Sequence, residues 1–382
     1  MKSNISIGLP RMHLETGEKR DFLPEFVQHL YRYGFEIFLE HGYGAGMGIQ
    51  DSDYLAVAPT AHFTSHDVTF KKDLVLVLRY LGDNALTKMK SGACLISMLH
   101  YPTRSRRVEF LKEMGLEAIS LDSIKDDVGR RLVENVRAVA WNGVEIAFKV
   151  LKEHYPAPGL EDPNRLPIKV TVLGAGAVGM FAIQAAIRYG NEKTWRYMAS
   201  IGATGVQVTA VDYDLTNHPA ITQQILKYTD ILVDATQRSE PKKPVVQNEW
   251  IGLMRQHAVL LDLSVDPYDC EPEVRSVKGI EGIPQGNLDQ YIFAPDDPAY
   301  AMIPACVRTN ERRLAVSCYS WPGIYPKECM EIYGKQLYPL MHEIAKRGGV
   351  QNINRNGNFF QRAIGRAMLS NWNISAEKGK GK

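Results

Sequence analysis

Charge of one sign is what this sequence has least of: 45 Lys+Arg against 43 Asp+Glu over 382 residues leave a formal net charge of +2. A polyanion binder carries a concentrated basic footprint, so nucleic acid is not expected as a partner. Cysteine is scarce too. The five residues Cys94, Cys270, Cys306, Cys318 and Cys329 are odd in number, scattered and never in a C-x-x-C arrangement. That argues against a disulfide framework and against a zinc site, and no metal is expected. The opening MKSNISIGLP has no apolar h-region, so no secretory signal is expected and the cytoplasm is the default compartment. Long uncharged runs are nearly absent as well. VTVLGAGAVGMFAIQAAI approaches transmembrane length, but its glycines and strand-then-helix pattern fit a buried turn better, so no membrane partner is expected.

What is present is an ordinary globular composition, 45% hydrophobic and 23% charged, at a length that suits about two domains. The first 135 residues alternate short aliphatic runs with amphipathic ones, the signature of βαβ units and a mostly parallel sheet. ISIGL, FEIFLE, DLVLVL, ACLISML and LEAISL read as strands; FLPEFVQHLYRYG and RSRRVEFLKEMG read as helices that stop at a glycine. The Pro-rich YPAPGLEDPNRLP, residues 155 to 167, reads as a linker or exposed loop. Strands IKVTVLG, VQVTAVD, DILVDAT and AVLLDLSV then carry the α/β rhythm to about residue 320, and the last sixty residues turn helical again. Helices added after such a domain often pack back on the first, which predicts a discontinuous first domain. The tail SAEKGKGK reads as disordered.

The strongest motif is IKVTVLGAGAVGMFAIQAAIRYG, where a strand delivers Gly174, Gly176 and Gly179 at G-x-G-x-x-G spacing and a helix opens at once. The first glycine permits the tight turn, the second lets backbone approach a pyrophosphate, and the third lets helix and strand pack closely. The helix N-terminus adds free N–H groups and the positive end of its dipole. Strand VQVTAVD ends in Asp212, whose carboxylate suits the adenosine ribose hydroxyls and repels a 2′-phosphate, so NAD is the expected cofactor. Asp214 competes for that role. Glycines 42, 44, 46 and 48 in EHGYGAGMGIQDSDY have no helix opening directly after them and read as a loop, with a helix N-cap near Asp51 or Ser52.

Arg20, Arg79 and His100 all fall just past the carboxyl ends of strands predicted to be parallel, the edge where such sheets bind ligands. An arginine offers a fork of donors suited to a carboxylate, and a histidine can carry protons near neutral pH. Either arginine could equally pair with a protein carboxylate. In AVLLDLSVDPYD, Asp262 lies inside the apolar run and reads as hydrogen-bonded scaffolding, whereas Asp266 lies past the strand end and reads as a catalytic candidate.

The order of EKRDFLPEFVQHLYRYGFEIFLEHGYGAGMGIQDSDY, DLVLVLRYL, SMLHYP, VTVLGAGAVG and VLLDLSVD resembles the alanine dehydrogenase and pyridine nucleotide transhydrogenase superfamily. SIKDDVGRR, LSVDPYD and YSWPGIYPKECMEIYGKQLYPLM look more like its lysine-forming saccharopine dehydrogenase branch. The resemblance implies an α/β fold of two Rossmann-like domains with a cleft between them: a substrate domain over 1–140 and 322–382, completed by C-terminal helices, and an NAD-binding Rossmann domain over 141–321. It implies that Arg20 binds a substrate carboxylate, His100 is the general acid/base, and Asp266 faces the reacting centre. Asp122 and Arg131, with Arg130 beside it, would contact the amino-acid part of the substrate.

Two departures matter. Where those enzymes resemble one another in a motif ending in lysine and glutamate, this chain has Arg79 and Tyr80; an arginine stays charged and can hold a carboxylate or polarise a carbonyl, but is no base. Where alanine dehydrogenases have an asparagine, YSWPGIYP has Ser320. The expected activity is hydride transfer at the C–N bond of an amino acid, or of a secondary-amine amino acid of the saccharopine or opine type, through an imine. The alternatives are oxidative deamination of the alanine dehydrogenase type and a non-catalytic or transhydrogenase-like NAD-binding protein. The expected partner is a small amino acid or 2-oxo acid, with a homo-oligomer implied by the resemblance alone.

Overall fold

The computed structural model describes residues 5–238, 241–272 and 275–372. The chain divides into two compact units: one runs to Asn135 and resumes at Tyr325, and the other is the continuous stretch Val136–Ile324.

Six strands form the sheet of the first unit: β1 (Ser6–Leu9), β2 (Glu36–Glu40), β3 (His62–Thr64), β4 (Leu74–Arg79), β5 (Cys94–Met98) and β6 (Glu117–Ser120). Their order is β3-β2-β1-β4-β5-β6 and every pair is parallel. Five consecutive residues of β4 are buried, the behaviour of a parallel strand covered on both faces. The order reverses between β1 and β4, so the loops leaving those two strands part to opposite sides and leave a crevice at their carboxyl ends. The C-terminal helix Pro326–Arg347 packs here: its Tyr338 ring stacks on Phe26 of helix Pro24–Arg32 at 5.8 Å. Gly348, at φ +73°, ends it in the left-handed conformation that glycine adopts without steric cost. Further on, Met368 bridges Ile119 in β6.

The second unit repeats the plan with β7 (Ile168–Leu173), β8 (Val206–Val211), β9 (Ile231–Asp234), β10 (Val259–Asp262), β11 (Ile292–Phe293) and β12 (Leu314–Ser317). The order is β11-β12-β10-β9-β7-β8, parallel except for β11 against β12. Its reversal falls between β7 and β9. Residues 155–167 lie inside this unit, between helix Val136–His154 and β7, and are a loop rather than a connection between units.

The structure corrects two expectations. Cys270 and Cys306 form a disulfide, with Cα atoms 6.1 Å apart; the loops before and after β11 bring together two residues whose spacing carries no pairing signal. Cys94, Cys318 and Cys329 are free and buried. The helix expected to be capped near Asp51 or Ser52 is capped one residue earlier, by Gln50, in a reciprocal box with Asp53. The tail SAEKGKGK lies outside the described residues. Among the described residues no helix is long and apolar enough to cross a membrane.

Candidate active site

At the crevice of the first unit, the segment after β1 brings Glu15, Glu18 and Arg20 against Arg79 at the end of β4. Arg20 is buried and paired face to face with Glu18, Nε to Oε1 at 2.8 Å and Nη2 to Oε2 at 2.5 Å. Arg79 Nη1 donates to Glu15 Oε1 at 3.0 Å and to Glu18 Oε2 at 3.1 Å. Burial alone would raise the Glu18 pKa, but Arg20 and then Arg79 outweigh it and hold the carboxyl below its usual range. For Arg20, burial opposes the charge while Glu18 more than restores it, so the guanidinium stays protonated. Of the two roles open to these arginines, pairing with protein carboxylates is the one this structure shows. Glu15 and Glu18 escaped the sequence reading, although L-E-T-G-E-K-R sets both within five residues of Arg20.

One strand further along, His100 follows β5, whose Met98 lies beside Arg79. Its backbone sits at φ +52°, one of three positive-φ positions occupied by non-glycine residues among those described. Such strained conformations survive where the surroundings over-determine them, and they cluster at functional sites. Asp122 supplies much of that determination. Its Oδ1 accepts the backbone N–H of Leu99 and of His100, each at 3.1 Å, and the Ser120 hydroxyl at 2.8 Å, while Oδ2 lies 3.4 Å from His100 Nδ1. Burial would raise the Asp122 pKa, but the bonds to His100 and Ser120 prevail and hold it well below the usual range. Asp122, expected to contact the substrate, faces the His100 imidazole from 3.4 Å in this structure.

Arg131 is exposed on the turn that bridges Lys125 to Arg131. Arg20 and Arg131 both act on the buried phenol of Tyr333, whose pKa is raised chiefly by burial. Two of the predicted residues thus meet in one crevice, Arg20 and Arg79 through Glu18.

In the second unit the glycines do different jobs. Gly174 turns the chain at φ +90°, and a Cβ there would come 2.7 Å from the Ala235 carbonyl oxygen. A Cβ on Gly179 would lie 1.9 Å from the Gly174 oxygen. Both are glycine because protein backbone fills the space. Gly176, which precedes helix Ala177–Ile187, has nothing within 4 Å of its Cβ position. The protein does not require glycine there, whereas a pyrophosphate approaching the helix N-terminus does, so the loop fits a dinucleotide. Asp212, exposed at the end of β8, caps the next turn by accepting Tyr213 N–H at 2.8 Å.

The end of β10 holds a buried charge network. Asp262 accepts from Lys278 Nζ at 2.6 Å, the Ser317 hydroxyl at 3.0 Å and Val265 N–H at 2.8 Å. Burial raises the Asp262 pKa and Lys278 more than reverses it; neighbouring Asp234 is pushed up, first by burial and then by Asp262. Asp262 is scaffolding, as expected, and what it scaffolds is Val265, a β-branched residue held at φ +56° directly before Asp266. Asp266 in turn binds Arg238 Nη2 at 2.5 Å.

The family profile of the alanine dehydrogenase/PNT N-terminal domain matches residues 13–135, and that of the C-terminal domain matches residues 153–276. The chain belongs to the alanine dehydrogenase/PNT family. An alanine dehydrogenase of Mycolicibacterium smegmatis is 24% identical over 284 residues, 70% of this chain and 75% of that one. An NAD(P) transhydrogenase subunit alpha of Haemophilus influenzae is 19% identical over 89% of this chain, which spans 66% of the subunit. Among solved structures, an L-alanine dehydrogenase superposes with a TM-score of 0.71 at 18% identity, covering 95% of this chain and 94% of its own. That likeness establishes the two-unit Rossmann-like fold of the family.

Proposed function

We propose that the chain is an NAD-dependent amino-acid dehydrogenase in which the first unit serves the substrate and the second holds the dinucleotide. The observation that carries the proposal is His100, held at positive φ with Nδ1 toward the buried, ionised Asp122. Bound NAD supplies the hydride acceptor or donor for the substrate α-carbon. The remaining work falls to the chain. In the reductive direction an amine adds to a 2-oxo acid, and His100 protonates the departing hydroxyl as water leaves and the imine forms. In the oxidative direction the imidazole takes a proton from the attacking water. Asp122 fixes the ring for both steps and stabilises its charged form. Arg79, pinned by Glu15 and Glu18, stays cationic and polarises the carbonyl without exchanging protons. The exposed Arg131 is the cation assigned to the substrate carboxylate, and Asp266 the carboxylate assigned to the reacting centre.

The finer reading is a secondary-amine substrate of the saccharopine or opine type, supported by SIKDDVGRR and by arginine in place of lysine at position 79. A second reading, oxidative deamination of the alanine type, is favoured by one observation: Glu15 and Glu18 match the charges of Arg20 and Arg79, leaving no surplus cation there for a second substrate carboxylate. NADH consumption with 2-oxo acids, each paired with ammonia, lysine or ornithine, separates them. Turnover that requires an amino-acid amine supports the first; turnover with ammonia alone supports the second. His100→Gln should lower turnover by about two to four orders of magnitude with NADH affinity kept. A His100→Gln variant as active as the parent would overturn the acid–base assignment.

A further inference from the structure

The β1, β2 and β3 ends of the first unit carry a cluster that the proposed chemistry leaves unused. Glu40, the last residue of β2, is buried, and both its oxygens are engaged. Oε2 accepts the Arg11 backbone N–H at 2.7 Å and His66 Nδ1 at 2.7 Å, and Oε1 accepts His13 Nε2 at 2.6 Å. His13 lies on the segment after β1, and His66 opens helix His66–Phe70 just past β3. One ligating atom from each of the three residues falls within 4.8 Å of the others.

We propose that His13, His66 and Glu40 form a zinc site with its remaining position open to solvent. The donor set is two imidazole nitrogens and a carboxylate oxygen, the N/O chemistry that zinc takes at about 2.0–2.2 Å. Tetrahedral geometry at that bond length sets ligand atoms about 3.3 Å apart, so the histidine contact to the ligating Glu40 oxygen must open by roughly 0.6 Å, with the other histidine turning toward the same oxygen. Side-chain rotation supplies that. An ionised carboxylate only accepts, so His13 Nε2 and His66 Nδ1 carry their ring protons in the metal-free protein. The scaffold around the ligands is fixed: the Arg11 amide holds Glu40, the Phe70 ring meets His66 edge-on at 4.9 Å, and the two imidazoles lie 5.2 Å apart. Such outer contacts orient ligands before the metal arrives. The local charge favours a cation. The Arg11 side chain pairs with Asp21 at 3.5 Å, and the buried Asp21 carboxyl itself feels Glu40. His13, with half its side chain exposed, is the side from which an ion arrives.

Such a site runs against the expectation of no metal, which rested on the absence of C-x-x-C spacing and so speaks only to thiolate sites. The consequence of a bound ion is a brace on the segment that also bears Glu15, Glu18 and Arg20, tying it to β2 and to helix His66–Phe70.

The test uses the full chain, stripped with a chelator and titrated calorimetrically with zinc chloride, then with cobalt chloride followed by visible absorption. The expected result is one equivalent of zinc, a rise in Tm on binding, and cobalt d–d bands without a thiolate charge-transfer band. His13→Ala, at a half-exposed position, should weaken zinc by roughly a hundredfold or more and abolish the rise in Tm. His66→Gln should do the same, and a melt without metal checks that it folds. Absence of stoichiometric binding, unchanged affinity in His13→Ala, or a thiolate band pointing to Cys94, Cys318 or Cys329 would each overturn the assignment.

Discussion

The crevice between β1 and β4 and the crevice between β7 and β9 occupy the same place in two sheets of the same plan, yet they are built from opposite materials. The first is packed with charge: Arg20, Arg79, Glu15 and Glu18 interlock across about sixty residues of sequence. At the second, the loop leaving β7 is built of glycine, with Gly174 and Gly179 admitting neighbouring backbone and Gly176 leaving open space. A parallel sheet dictates where a ligand sits and leaves its chemistry to the two loops that part there. A proton-transfer site needs placed side chains; a pyrophosphate needs exposed N–H groups and room.

If charge pairing builds the first crevice, the sharpest way to break it is Glu18→Gln. That change removes the bidentate anion from the buried Arg20 and should cost about 3–5 kcal/mol in denaturant unfolding. An unchanged midpoint would mean that the ion pairs are incidental. The second crevice should break by shape. Gly179→Ala places a methyl 1.9 Å from the Gly174 carbonyl oxygen and should lower both Tm and NADH affinity. Gly176→Ala should keep Tm and weaken NADH by roughly tenfold, which corresponds to about 1.4 kcal/mol of binding. Equal Tm losses in the two variants would erase the distinction between a glycine needed by the fold and one needed by a ligand.

Acid sharpens the contrast further. Glu18 and Asp122 have folded pKa values below their ordinary ones of 4.5 and 3.8. Their contribution is therefore fully present above those ordinary values and is lost as pH falls through the lower folded ones. Asp21, raised by burial to about 6, works the other way: its cost is present above about 6 and is relieved as pH falls toward 3.8. Chemical unfolding of the parent and of Asp21→Asn across this range should show the variant gaining most above pH 6; an equal gain at every pH would refute the sign. The smallest effect expected is at Asp212, where Asp212→Ala should relax discrimination against NADPH while leaving Tm in place. A parent that already preferred NADPH would refute the ribose assignment.

How far the sequence disclosed these features depended on how local their causes are. Runs such as DLVLVL announce buried strands because five aliphatic residues in a row leave few other options, whereas β3 and β11, of three and two residues, are too short to carry a pattern. The glycine cradle was legible because turn, strand and helix are all local. The partners of Arg79 were not, because Glu15 and Glu18 lie more than sixty positions away and only the return of β4 beside β1 brings them together. The same holds for Asp122, whose place beside His100 depends on the pairing of β5 with β6. It holds for the Cys270–Cys306 bond as well, which two loops create and no spacing rule encodes.

The first unit is written in two instalments, with the whole second unit between them. A ribosome making this chain releases every strand of the first sheet early but withholds helix Pro326–Arg347, with Cys329 and Tyr333 that line Arg20, until the second unit has been synthesised. The continuous unit can therefore close on itself while its predecessor still waits for a wall. The half assigned to the cofactor would be complete on the nascent chain before the half assigned to the substrate, and chains arrested at Ile324 should bind NADH without a finished Arg20 pocket.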